Sequence, residues 1–87
     1  MASVLKKTVT GNGDTIFETI PAIEYIVKVG PAAGSATVTV KDADGDAYGA
    51  ALSNGQGEIY TATGNTITLT TASHSVDFDI SVTNIPV

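Results

Sequence analysis

Residues 75–83 read Ser-Val-Asp-Phe-Asp-Ile-Ser-Val-Thr, with polar and apolar side chains alternating without a break. Such a period of two directs one face of an extended strand toward a core and the other toward water. The pattern recurs from end to end of the chain, and no segment repeats its apolar residues at the three- and four-residue spacing of a helix. Thr, Val, Gly and Ala are plentiful while Leu and Glu are scarce, so essentially no helix is expected.

Turn chemistry divides the alternation into runs at residues 4–10, 15–20, 23–29, 35–41, 47–52, 58–63, 66–70 and 75–84. Gly11-Asn12-Gly13-Asp14, Pro21, Gly30-Pro31 and Ser53-Asn54-Gly55-Gln56-Gly57 separate them. Asp44-Gly45 is the strongest hairpin signal, and Gly64-Asn65 is a second two-residue connection of hairpin type. The run at 47–52 is the weakest, being built of small residues around Gly49. This spacing predicts an all-β fold, a single antiparallel β-sandwich of about seven or eight strands, immunoglobulin-like or jelly-roll-like. One domain over residues 1–87 is expected, with residues 1–8 a mobile or partner-binding arm.

An 87-residue chain buries only about 60% of its unfolded surface, so its core is modest. No cysteine is present to add disulfides or thiolate metal sites, which leaves association with other subunits as the expected remedy. Hydrophobic residues make up 43% and charged residues 15%, against a usual charged share of roughly 25%, so part of the surface is expected to meet another subunit. Four lysines and no arginine face nine acidic residues, and the net charge of −5 opposes nucleic-acid phosphates and anionic lipid alike. Neither nucleic acid nor membrane is an expected partner. Lys6 and Lys7 are not followed by an apolar segment, so neither a secretory signal nor a membrane span is read there, and synthesis in the cytoplasm is expected.

Candidate chemistry is sparse. His74 stands between Ser73 and Ser75 with Asp77 nearby, but successive residues entering a strand point to opposite faces and these types diverge. Asp77 and Asp79 fall about 7 Å apart on one strand face, a separation open to paired carboxylates, yet no aromatic platform accompanies them. Asp42, Asp44 and Asp46 around Gly45 are the candidate cation ligands, being hard oxygens at alternate positions. A calcium loop would require a bidentate Glu at its twelfth position, where this chain has Ser53. No catalytic residue, no cofactor and no resident metal are therefore expected. The candidate partner-binding residues are Lys6 and Lys7, which could equally protect an edge strand, the amphipathic Tyr25, Tyr48 and Tyr60, and the terminal Ile85 and Val87.

Three segments carry a resemblance: Val9-Thr10-Gly11-Asn12-Gly13-Asp14-Thr15, Ile23-Glu24-Tyr25-Ile26-Val27-Lys28-Val29-Gly30, and Ala36-Thr37-Val38-Thr39-Val40-Lys41. Their Gly-Asn-Gly turn, strand closing on Gly and threonine-valine ladder resemble the small β-sandwich modules of tailed-phage virion proteins. Head decoration (cement) proteins and head or tail fibre modules share this style. The resemblance implies a non-enzymatic decoration subunit on the outer surface of a capsid, made in the host cytoplasm. It also implies that the subunit is commonly trimeric and clamps the major capsid protein without covalent bonds. The alternative is a fibre or adhesion-type β-sandwich module that binds a carbohydrate or protein receptor.

Overall fold

The computed structural model describes residues 4–9, 12–30, 33–72 and 78–84, which form two antiparallel sheets with no helix among them. The strands are β1 (Val4–Val9), β2 (Gly13–Glu18), β3 (Glu24–Val29), β4 (Thr37–Lys41), β5 (Gly57–Thr61), β6 (Thr66–Ala72) and β7 (Phe78–Asn84). One sheet runs β1-β7-β3-β5 and the other β2-β6-β4. Successive strands therefore alternate between the sheets, and each link from one strand to the next crosses the core rather than closing a hairpin.

The pairing is nested. β1 lies on β7, β2 on β6 and β3 on β5, and Val38 and Lys41 of β4 bridge to Leu52 and Ala47. All of these pairs enclose the turn at residues 42–46, which is the point where the chain doubles back on itself. Gly45 supplies the left-handed conformation there at φ 90°, and the Asp42 carboxylate accepts from the backbone N–H of Asp44 and of Asp46, both at 2.9 Å.

Alternation becomes burial in both sheets. Tyr25, Val27, Val29, Tyr60, Phe78, Ile80 and Val82 face inward from the larger sheet, and they meet Phe17, Val38, Val40, Ile67 and Leu69 from the smaller one in a single cluster. Each fully buried aliphatic side chain contributes about 1.5–3 kcal/mol, so this cluster dominates the folding free energy. Both buried threonine hydroxyls among the described residues are satisfied: Thr19 donates to the Gly64 carbonyl at 2.8 Å and Thr71 to the Gly13 carbonyl at 3.3 Å.

Two local expectations are corrected. The 47–52 run is not a strand; it follows the outer side of β4 through the two isolated bridges and a bond from the Tyr48 N–H to the Val40 carbonyl. With only small residues from Gly49 to Ala51, it has too little side chain to hold a regular ladder. Gly64-Asn65 does not close a hairpin, because β5 and β6 belong to different sheets and neither residue takes the positive φ of a type I′ turn. Of residues 1–8, expected as a mobile or partner-binding arm, those from Val4 onward lie in β1 and pair with β7 in the register Leu5 to Val82 and Lys7 to Ile80, and residues 1–3 lie outside the described residues.

Candidate functional site

The 47–52 segment stands away from β5 and leaves an open cleft of about 590 Å³ between them, lined by Tyr48, Ala50, Leu52, Gln56, Glu58 and Tyr60. The tyrosines set its shape: their ring centroids are 5.4 Å apart at 46°, and the Tyr48 hydroxyl accepts from the Thr63 N–H at 3.1 Å. Burial pushes the Tyr60 phenol above its ordinary pKa of 10.0, and the neighbouring Glu58 charge adds to the shift. Glu58 is the one carboxylate in the lining, with no histidine or lysine beside it. Such walls can hold an apolar or amide-bearing group, but they bring no acid and base together for proton transfer.

Three large apolar side chains face water: Ile16 at 67%, Ile20 at 65% and Ile59, which also borders the cleft, at 51% exposure. Ile16 lies on β2 and Ile59 on β5, both edge strands, and neither faces the core. Next to Ile16 the outer face of the smaller sheet carries Thr37, Thr39, Thr66, Thr68 and Thr70, with Thr70 donating to Asp14 at 2.8 Å. The outer face of the smaller sheet is thus a row of threonines with one exposed isoleucine between Asp14 and Glu18.

The four sheet edges are defended unequally. β1 carries Lys6 and Lys7, β2 flanks Ile16 with Asp14 and Glu18, and β4 is covered by the bridges to Ala47 and Leu52. Just before and after β5, Gln56 and Ala62 lie in the hydrogen-bonded register with β3 and its N-terminal neighbour, since the Val29 N–H donates to the Gln56 carbonyl and the Ala62 N–H to that of Ile23. By alternation, the backbones of Gly57, Ile59 and Thr61 point away from β3, and no described segment pairs with them.

The candidates read from the sequence are dispersed. Tyr25 is a core residue, 7% exposed, whose hydroxyl accepts from the Ile20 N–H at 2.9 Å. Tyr60 is equally buried, and Tyr48 packs half-buried against the same core. Asp42, Asp44 and Asp46 form no cluster able to hold a metal ion, and no such cluster occurs among the described residues. Asp79 is exposed and accepts from the Thr8 hydroxyl at 2.9 Å, while its proposed mate Asp77 lies outside the described residues, as do His74, Ile85 and Val87. Lys6 and Lys7 pair through their backbones with Ser81 and Ile80, and their side chains are outside the description. No described helix is long and apolar enough to cross a membrane.

Sequence reasoning did not foresee the cleft or the bare edge of β5. The signals were present: inward Tyr60 forces Ile59 outward, and the weak run around Gly49 marks the segment that fails to close against β5. Compared with protein-family models, with curated proteins and with solved structures, the chain matches none of them.

Proposed function

We propose that the two sheets form a jelly-roll sandwich and that the chain is a non-enzymatic structural protein of a virion, a decoration subunit bound to the outer surface of an assembled capsid. The nested strand order supports the fold reading. With the 47–52 segment standing in for a strand on the outer side of β4, the pairs are those of a long hairpin rolled into two four-stranded layers. Jelly rolls recur in viral shells and in lectins, so the fold narrows the function only by analogy.

The observation that carries the functional reading is where the unpartnered apolar surface lies. Ile16 and Ile59 lie on edge strands and Ile20 in the link between β2 and β3, a spread that suits contact with a broad protein lattice, whereas the cleft that Ile59 borders holds no paired acid and base. A subunit that binds only the assembled shell stabilises it by mass action and needs no chemistry to do so. The partner is then the major capsid protein, bound by a homo-oligomer of this chain. The fibre or adhesion reading would use the cleft, but Tyr48 and Tyr60 pack on each other there instead of lying open as a platform for a sugar.

The test is made on the encoding phage. Purified heads carry the chain in fixed ratio to the major capsid protein, measured by mass spectrometry, and heads made without its gene release DNA at a lower temperature. Heads that lack the chain, or that are equally heat-resistant without it, overturn the reading.

A further inference from the structure

We propose that β5 is a homodimerisation edge: two copies of the chain join their larger sheets by antiparallel β5-to-β5 pairing about a two-fold axis at Ile59. Three features of the described residues lead to this pairing. β5 alone among the edge strands has neither a covering segment nor a charged residue on its outward positions, which are Gly57, Ile59 and Thr61. Natural sheets usually blunt such an edge with lysine, proline or a bulge, and an edge left plain is a template for another strand. The strand is also self-complementary in register. With Ile59 opposite its own copy, Gly57 falls opposite Thr61, and all three outward backbones exchange hydrogen bonds in the antiparallel pattern.

Side chains agree with the backbone. Ile59 pairs with the half-buried Ile26 on the outer face, so the dimer sets four isoleucines in one row across the joined sheets, two from each copy. Ile59, half-exposed in the single chain, is covered by this row. Glu58 would face Tyr60 of the second copy rather than another Glu58, so the one charge on the strand meets no like charge directly opposite. The Lys28 stem, which lies where a Cβ on Gly57 would be, explains why residue 57 has no side chain of its own. Five residues make a short interface, so the association is reversible and concentration-dependent. The pairing is a property of the chain alone and does not depend on its binding to a capsid.

The absence of cysteine makes the geometry directly testable. A residue on the axis faces itself, with Cα atoms about 5.5 Å apart, within the span of a disulfide. Ile59→Cys is expected to oxidise to a covalent dimer, whereas Ile16→Cys on β2 stays monomeric under the same conditions. Sedimentation of the unmodified protein from about 1 μM to about 1 mM is expected to pass from the 8.8 kDa chain to twice that mass. Ile59→Lys remains monomeric throughout with an unchanged β circular dichroism spectrum. Should Ile59→Lys fail to fold, the disulfide and the sedimentation of the unmodified chain decide. A monomer at all concentrations, a trimer, a dimer that survives Ile59→Lys in a folded protein, or equal cross-linking at positions 16 and 59 overturns the proposal. So does capture of an unrelated extended peptide on β5 in place of the second copy.

Discussion

Gly30 lies directly against the backbone of Asp79: its N–H donates to the Asp79 carbonyl at 2.8 Å, and a Cβ on residue 30 would stand 2.7 Å from the same oxygen. Real Cβ atoms do not approach so closely, and a backbone carbonyl held in the β3–β7 ladder cannot move aside cheaply. Gly30→Ala therefore destabilises the protein by about 1–3 kcal/mol, read as a lower urea midpoint. Gly49→Ala, where the added carbon meets nothing, serves as the neutral comparison.

Leu69 and Ile16 are both large aliphatics on the smaller sheet, but Leu69 is fully buried and Ile16 is 67% exposed. Leu69→Ala removes contacts and leaves a cavity, costing about 2–5 kcal/mol. A domain of this length has roughly 4–13 kcal/mol in all, so the substitution removes a large share of its stability. Ile16→Ala changes stability by no more than about 0.5 kcal/mol. Thermal unfolding of the two variants side by side checks both values, and equal losses would show that Ile16 is covered within the single chain.

Ala22 is held at φ 70° in the turn after Pro21, where its N–H donates to the Ala62 carbonyl at 2.8 Å. A left-handed conformation costs an L-residue about 1–2 kcal/mol. Glycine avoids that cost but gives back about 0.5–1 kcal/mol through the greater freedom of its unfolded chain. Ala22→Gly is thus expected to be neutral or stabilising, raising the urea midpoint by the equivalent of about 0.5–1 kcal/mol. A clear loss of stability would refute this account of the turn.

The turn at 42–46 is the innermost closure of the nested pairing, and every other strand pair spans a longer stretch of chain. Loop-closure entropy favours forming it first, with the outer pair β1–β7 forming last. Asp42→Ala removes the acceptor of two backbone N–H groups and costs about 1 kcal/mol, whereas Asp42→Asn keeps an oxygen in place and costs less. In stopped-flow experiments Asp42→Ala should act mainly by slowing folding, and Val82→Ala, in β7, mainly by speeding unfolding. The reverse assignment would place the nucleus elsewhere.

The inward residues of β3, β4, β6 and β7 were legible in the chain because period two assigns each side chain to a face, and Val27, Val38, Leu69 and Ile80 all reached the core that the pattern implied. Pairing was not legible. Gly64-Asn65 looks like a local hairpin, yet Thr19 claims both of these residues, its N–H bonding the Asn65 carbonyl and its hydroxyl that of Gly64. Those contacts join residues far apart in sequence, which no local pattern encodes. The environment of the tyrosines was not legible for a related reason: the sequence shows that Tyr25 is amphipathic, but only the folded chain shows Ile20 supplying the partner for its hydroxyl.

Tyr60 makes stability sensitive to alkaline pH. Burial, with the Glu58 charge adding to it, holds its phenol protonated above the ordinary value of 10.0. In the unfolded chain the same phenol ionises near that value, so between the two pKa values the folded state binds more protons and stability falls as pH rises. The contribution is fully present below the unfolded pKa and is lost as pH climbs through the folded one. Tyr60→Phe abolishes it: between about pH 9 and about pH 11 the variant should lose less of its urea midpoint than the unmodified protein. Glu58→Gln, by removing the smaller cause, should give an intermediate slope. Parallel declines in all three proteins would show that Tyr60 titrates as it does in water, and that the cleft wall does not desolvate it.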